Sequence, residues 1–250
     1  MVGQKIVVVV AGNMHHGKDT LADMLAERIE SSRRDSFAAP LKVCVHLKTG
    51  IPMDILMGPA SVKNDERFGR YGKSPRKLMQ EEGQEARDRI GNTVWMDRLR
   101  DRALREPERV TIVSDGRHPQ EEVTGIRETM PKGSLFFGVR IFRPDEPIRA
   151  GHPSEDKIAA APDDLFDFKV VNDGTLEDLA AKAEQLADAI VLTAKHGKLA
   201  GFVVRFSDGT RLQEPMATED DAKGLAKALA TIAEGSYTIE PARFDLITTP

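Results

Sequence analysis

From Ile6 to Val10 the chain is apolar and β-branched at every position. A run with no polar face predicts a strand over 5–10 buried on both sides, as in parallel sheets. At Gly17 the spacing turns helical, with Leu21, Met24, Leu25 and Ile29 on one face of a helix over 17–30. A short strand is expected near 36–37, then a helix over 41–48 ended by Gly50 and Pro52. Residues 58–73 are polar and glycine-rich, and carry Lys63, Asp65, Glu66, Arg67, Arg70 and Lys73; they read as a mobile loop. Ser74-Pro75 pairs a capping side chain with proline at the first helical position, which opens a helix reaching about residue 90. A helix over 94–104, a strand over 110–113, a helix over 119–128 and a strand over 135–142 follow. Residues 143–164 hold prolines, charges and Gly151, and read as a flexible excursion. A strand over 168–171 leads to the turn Asn172-Asp173-Gly174. Thr175 and Asp178 then have the spacing of a capping box, ahead of a helix with Leu176, Leu179, Ala183, Leu186 and Ile190 on one face.

Five strands alternating with helices imply an α/β fold, a parallel sheet with helices on both faces. Its crossovers should be right-handed and its ligands should sit at the carboxyl ends of the strands. The pattern changes near residue 196. Segments 199–206 and 210–212 about the turn Ser207-Asp208-Gly209 read as a β-hairpin, 219–233 as a helix, and 237–239 and 244–247 as extended pieces. The expected organisation is a main domain over 1–195 and a small α+β appendage over 198–250.

Composition narrows the partners. The chain has 250 residues and a formal net charge of −4, against the basic excess that a nucleic-acid coat requires. Cys44 is the single cysteine, so an internal disulfide is impossible and a thiolate zinc site is not expected. No charged leader with an apolar core and no long apolar span is present, which predicts a soluble, cytoplasmic protein with no membrane partner.

The chemistry concentrates in Gly12-Asn-Met-His-His-Gly17-Lys18-Asp19-Thr20. A buried-type strand, a glycine-bounded loop, a lysine and then a helix is the setting of a phosphate-binding loop. Glycines let backbone N–H groups turn inward, the helix start adds positive potential, and Lys18 adds a point charge. The common motif has Ser or Thr directly after the lysine, where its hydroxyl reaches Mg²⁺. Here Asp19 takes that place and Thr20 follows, so the metal falls to Thr20 or to water, or Asp19 has another task by the phosphates. His15 and His16 occupy variable loop positions, and His16 is a candidate phosphate contact.

Further pieces align in order: Phe37-Ala-Ala-Pro-Leu-Lys42, Ser74-Pro-Arg-Lys-Leu-Met-Gln80 with Gly83, Val94-Trp95 through Leu99, Val113-Ser-Asp-Gly-Arg117, Arg140-Ile-Phe-Arg143, His152-Pro-Ser-Glu155 and Asn172-Asp-Gly-Thr-Leu-Glu177. With the phosphate loop, they make the chain resemble the bacteriophage deoxynucleoside monophosphate kinases, a branch of the P-loop kinases, from residue 5 to about 190. The resemblance implies a nucleoside monophosphate kinase-like sheet, a substrate-binding helical insertion at about 50–105 and a lid at about 143–164. It implies transfer of the ATP γ-phosphoryl group, with Mg²⁺, to a deoxynucleoside 5′-monophosphate.

Phosphoryl transfer requires alignment and charge stabilisation more than a covalent catalyst. Lys18 is expected to bridge the β- and γ-phosphates. Asp115, closing an apolar strand, is expected to serve the metal, with Thr20 the other candidate. Arg117 and Arg76 suit the acceptor phosphate, because a guanidinium fork matches a dianion; Arg87 and Lys42 are further cations for that task. Gln80 is a candidate for a base edge, and Phe37 and Trp95 for its faces. Arg140, Arg143 and Arg149 lead into the lid, where they would neutralise charge and exclude water; His152 and Glu155 lie within it. Asn172, Gly174 and Thr175 resemble the loop that touches the ATP base. Two other readings compete: a kinase for another phosphorylated acceptor, of dephospho-coenzyme A or phosphomevalonate type, and a nucleotide-binding switch or assembly module that contacts partners through the appendage. An open sheet edge there would also allow a homodimer.

Overall fold

The computed structural model describes residues 4–147, 153–196, 201–206 and 237–242. Strands β1 (Ile6–Ala11), β2 (Ser32–Asp35), β3 (Val110–Gly116), β4 (Leu135–Phe142) and β5 (Phe168–Val171) form one sheet in the order β2-β3-β1-β4-β5, with every pairing parallel. The chain starts in the middle, builds one flank with β2 and β3, then crosses over to build the other. Such a reversal leaves a crevice at the carboxyl edge beside β1.

The helices are α1 (Lys18–Arg28), α2 (Ala39–Thr49), α3 (Met53–Met57), α4 (Ala60–Lys63), α5 (Pro75–Ile90), α6 (Val94–Arg105), α7 (Pro119–Thr129), α8 (Pro153–Ala160) and α9 (Leu176–His196). Strand β1 is buried on both faces, as its unbroken apolar run requires. Ile6, Val8 and Val10 pack with Leu21 and Leu25 of α1 and with Leu186 and Ile190 of α9. Val7, Val9 and Ala11 point the other way, onto Leu99 of α6 and Val123 and Ile126 of α7. Each such valine contributes on the order of 1.5–3 kcal/mol by leaving water, so this alternation fixes which layer each helix joins. A smaller cluster of Val45, Ile51 and Leu56 with Leu78 and Met79 holds α2, α3 and α5 together.

The start of α5 is built as its sequence suggests. Pro75 is the first helical residue, and Ser74 Oγ accepts from the Lys77 amide. The Thr175–Asp178 capping box also forms, with reciprocal bonds of 2.8 and 3.2 Å.

Three segments differ from the sequence reading. The second strand is Ser32–Asp35, not 36–37. Ser-Arg-Arg-Asp carries no apolar residue to announce a strand; pairing of Ser32 through Asp35 with Val110 through Val113 makes it one. Arg102 on α6 secures it with a two-pronged bond to Asp35 at 2.9 and 3.0 Å. Residues 58–73, expected as a loop, contain α4 and a 3-10 turn at Glu66–Phe68 that Asp65 caps. The excursion over 143–164 holds α8 and a 3-10 turn at Asp163–Leu165. Local polarity hid both segments; α8 in addition is held by contacts distant in sequence, to Asn13, Met14 and His118.

Near the C-terminus β6 (Gly201–Phe206) pairs antiparallel with β7 (Tyr237–Ala242), Phe206 opposite Tyr237. Strand β7 is longer than the extended piece expected at 237–239. The expected turn at 207–209, strand at 210–212, helix at 219–233 and segment at 244–247 lie outside the described residues, as do Arg149 and His152. Among the described residues no helix is long and apolar enough to cross a membrane.

Candidate active site

The loop between β1 and α1 has the shape its glycines permit. Gly17 sits at φ 93°, in the left-handed region that favours glycine. Gly12 lies so close to β4 that a Cβ would stand 2.7 Å from both Cγ2 and the carbonyl oxygen of Ile141. The His16 amide donates to the Asn13 carbonyl at 3.2 Å and closes the turn. Helix α1 then begins with its free N–H groups at the sheet's carboxyl edge, where an anion is favoured.

A cleft of about 590 Å³ opens over this edge. Lys18, Asp19 and Thr20 reach it from the loop and α1, Arg76 from the first turn of α5, Arg117 from just beyond β3, and Arg143 from just beyond β4. Gly174 and Thr175 reach it from the turn before α9. Residues from Lys18 to Thr175 therefore meet because the sheet delivers them to one edge.

The cations of this cleft, and Lys63 whose charge acts on it, make no ion pair with a carboxylate among the described residues. Elsewhere the pairs are routine, such as Lys48 with Glu82 at 2.6 Å, Lys73 with Glu81 at 2.7 Å and Arg127 with Asp167 at 2.8 Å. Among the described residues no ion pair engages Lys18, Lys63, Arg76, Arg117 or Arg143. Arg76 Nε is buried with no hydrogen-bond partner among the described residues. Burial, and then the Arg117 charge, lower the Arg76 pKa. Burial, and then Lys42, Arg76 and Arg117, do the same to Lys63. A buried donor without an acceptor is costly, and a cluster of like charges adds repulsion. A multiply charged anion relieves both, so the donor set fits phosphate groups. Lys63, at the end of α4, belongs to this cluster. Sequence reasoning missed it because its neighbours in sequence read as solvated loop.

The carboxylates are placed differently from the expectation. Asp115 stands at the same sheet edge but does not line the cleft. Its two oxygens accept from the Phe37 amide at 2.8 Å and the Ala38 amide at 3.0 Å, which fastens the chain ahead of α2. Burial pushes its pKa up in spite of those amides. Asp19 faces the cleft, with Oδ1 accepting from the Ser114 hydroxyl at 2.6 Å. Among the described residues no three His, Cys, Asp or Glu gather as a metal cage. A magnesium ion fits here only in the way it usually sits on polyphosphates, on phosphate oxygens and one or two protein oxygens. Asp19 and Thr20 are the side chains at the cleft that offer such oxygens from the loop.

Other expected contacts are redirected. The His16 ring is completely buried, edge-on to Phe142 at 5.5 Å, and His15 lines the cleft in its place. Burial lowers the His16 pKa. Asn172 lines the cleft, but its amide group donates to the His16 carbonyl at 3.1 Å, bracing the loop. Phe37 is buried in the core beside Met96 and Leu99 and offers no face to a ligand. Gln80 is exposed on α5 and lines neither hollow. Lys42 points its amine at the Met57 sulfur, 3.3 Å away, and contributes charge near Asp115 and Lys63. Arg140, expected to lead into the lid, caps the carboxyl end of α8: Nη1 donates to the Ala161 carbonyl and to Asp163, both at 2.8 Å.

Arg87 and Trp95 line a second hollow of about 220 Å³ with Gln84, His118 and Lys157. Trp95 Nε1 donates to the Gly83 carbonyl at 3.2 Å, so the indole is held firmly. Lys157 Nζ lies 2.9 Å from His118 Nδ1. Burial, then Lys157 and Arg87, lower the His118 pKa to about 4, so the ring is neutral at pH 7 and Nδ1 accepts from the lysine. His118 and Lys157 of this hollow are next in sequence to Arg117 and Ile158 of the cleft.

No protein-family model and no curated protein sequence matches the chain. Among solved structures, TT1252 from Thermus thermophilus superposes over 74% of this chain and 98% of its own, at 15% identity and TM-score 0.40. Shikimate kinase from Acinetobacter baumannii, in complex with shikimate, superposes over 79% of this chain and 97% of its own, at 16% identity and TM-score 0.37. Both are remote in sequence and loose in superposition. The central β1, its glycine-bounded loop running into α1, and the parallel order β2-β3-β1-β4-β5 define an α/β fold with a parallel sheet and helices on both faces.

Proposed function

We propose that this protein is a deoxynucleoside monophosphate kinase that transfers the γ-phosphoryl group of ATP to a 5′-monophosphate. The observation that supports the reading is the convergence of Lys18, Arg76, Arg117 and Arg143 on one cleft, within the charge field of Lys63, with no ion pair to a carboxylate among the described residues. One anionic ligand on the loop would use Lys18 and the α1 amides. Arg76 and Arg117 also line the cleft, and a second phosphate would give them a partner. A switch protein needs one phosphate site, whereas a kinase for a phosphorylated acceptor needs two.

In this reading Lys18 and the loop amides hold the donor phosphates, and Arg76, Arg117 and Lys63 hold the acceptor phosphate. An acceptor oxygen attacks the terminal phosphorus, and the bond to the bridging oxygen breaks to release ADP. Bound magnesium supplies neutralisation of the phosphate oxygens. Arg143, which lines the cleft, would take up charge on the transferring group. The second hollow, with its fixed indole, Arg87 and the neutral His118, is a suitable size and polarity for part of the acceptor beyond its phosphate.

The test is ADP release measured with ATP, Mg²⁺ and each nucleoside monophosphate in turn. The expected result is turnover that requires a deoxynucleoside monophosphate. Turnover with a non-nucleotide phosphorylated acceptor alone, or ATP binding with no transfer to any acceptor, overturns it.

A further inference from the structure

One buried carboxylate in the cleft wall has no part in the reading above. Glu155, in the first turn of α8, is 6% exposed and lines the cleft. Its Oε2 accepts from the Met14 amide at 2.9 Å and from Asn13 Nδ2 at 3.0 Å. Asn13 Nδ2 also donates to the Glu155 backbone carbonyl at 3.0 Å, and Asn13 is itself 4% exposed. Burial works against the carboxylate charge, but the Met14 amide, Asn13 and Lys18 outweigh it and hold the pKa below the ordinary value. An ionised side chain from another part of the fold thus grips the phosphate loop, on its Asn13–Met14 half.

The same helix has a second foot. Lys157, two residues on, bonds His118 at 2.9 Å and Glu121 at 3.4 Å, at the start of α7. Residues two apart on a helix project to different sides, so α8 spans the gap between the loop after β1 and the segment carrying Arg117. Arg140 fixes the far end of α8 through the Ala161 carbonyl and Asp163.

We propose that Glu155 is a positioning residue. It holds the Asn13–Met14 half of the phosphate loop in its anion-binding shape and, through α8 and Lys157, ties that shape to the Arg117 side of the cleft. The inference rests on the kinase reading for the identity of the two ligands, and its own content is the coupling between their sites. A carboxylate so near the donor phosphates repels them unless its charge is absorbed. The Met14 amide and Asn13 absorb it, and this explains an asparagine at a loop position that needs no amide side chain for phosphate binding.

The test is calorimetric binding of the magnesium complex of adenylyl-imidodiphosphate, with and without each deoxynucleoside monophosphate, in protein whose thermal midpoint is checked. Wild type is expected to bind the probe, and to bind it with altered affinity once an acceptor is present. Glu155→Ala is expected to weaken the probe roughly tenfold to a hundredfold, the scale of a lost hydrogen bond to a charged group, and to abolish the acceptor's influence. Asn13→Asp sets carboxylate against carboxylate and should weaken binding similarly. Asn13→Asp/Glu155→Gln restores a donor and an acceptor to the pair and should recover most of the affinity. If Glu155→Ala does not fold, the Asn13 series decides alone. Wild type that fails to bind the probe removes the kinase reading and this inference with it. Wild type that binds, with folded Glu155→Ala unchanged or the double variant no better than Asn13→Asp, removes this inference only.

Discussion

The Ser114 hydroxyl, near the end of β3, donates to Oδ1 of Asp19 at 2.6 Å and accepts from Nη2 of Arg34 at 2.6 Å. In the common arrangement the residue after the loop lysine is a hydroxyl and the strand supplies the carboxylate. Here the loop supplies the carboxylate and the strand supplies the hydroxyl. Arg34 also bonds Asp23 at 2.9 Å, so the hydroxyl is oriented from behind. One oxygen of Asp19 is thereby fixed, and the other has no protein partner among the described residues.

That arrangement predicts a metal effect. Asp19→Asn keeps an acceptor for Ser114 and removes the charge. The magnesium concentration for half-maximal turnover should rise roughly tenfold, a loss of about 1.4 kcal/mol. Binding of nucleotide without magnesium should hold or improve, because a negative charge has left the phosphates. A magnesium titration of both variants decides: a shift in Thr20→Val with none in Asp19→Asn assigns the ion to Thr20.

Lys63 is expected to act on the acceptor alone. It lies within the charge field of Lys42, Arg76 and Arg117, with Asp19 the opposing charge, and among the described residues no ion pair engages it. Lys63→Ala should raise the KM for the acceptor roughly tenfold, on the scale of one charge-assisted bond to phosphate, and leave the KM for ATP nearly unchanged. Lys18→Ala should instead lower kcat by roughly 10²–10³ or more, the scale for removing one transition-state donor. Steady-state kinetics with each substrate varied separates the two; an equal rise in both KM values for Lys63→Ala places that lysine elsewhere.

Much of this site was legible in the chain, for identifiable reasons. The β1 run and the glycines of the loop act through local backbone preferences, which sequence displays directly. Arg76 is announced by Ser74-Pro75, a helix start whose geometry aims the first turn, and Arg117 by its place two residues past a strand-ending carboxylate. Strand β2 was misplaced because Ser-Arg-Arg-Asp becomes a strand only through its partner β3. The amide contacts of Asp115 were not legible for a related reason: they depend on where residues 37 and 38 pass, 78 and 77 positions away. Glu155 and Asn13 meet across 142 positions, and nothing local to either reports the contact.

Gly17 gives a backbone prediction. Its φ is 93°, and a Cβ there would lie 2.7 Å from Nδ2 of Asn172. Left-handed backbone costs a non-glycine residue about 1–2 kcal/mol. Displacement of the Asn172 amide would also release the His16 carbonyl that it holds. Gly17→Ala should lower the thermal midpoint by several degrees, at about 2–4 °C per kcal/mol for a domain of this size, and should weaken nucleotide binding. Gly50, at φ 70° with nothing within 4 Å of a Cβ, is the control: Gly50→Ala should show the thermal loss without the binding loss. Equal binding defects in both variants would mean that the loop does not hold the nucleotide.

Glu122 makes stability depend on pH. Its side chain is 6% exposed, and Oε2 accepts from the amides of Arg117 at 2.7 Å and His118 at 2.9 Å. Burial, with help from the neighbouring Asp115 charge, pushes its pKa up from 4.5 to about 7, although the two amides and Arg87 pull the other way. Below pH 4.5 the carboxyl is protonated in folded and unfolded chains alike. Between 4.5 and about 7 the unfolded chain has released the proton and the folded chain still holds it. Rising pH therefore favours unfolding across that window, by at most about 3 kcal/mol. Glutamine copies the protonated form and keeps an oxygen for the two amides. Glu122→Gln should match wild type near pH 4 and be the more stable protein at pH 8, with the gap opening between those values. Thermal midpoints across the range measure it; a difference that stays constant with pH would mean that Glu122 does not titrate there.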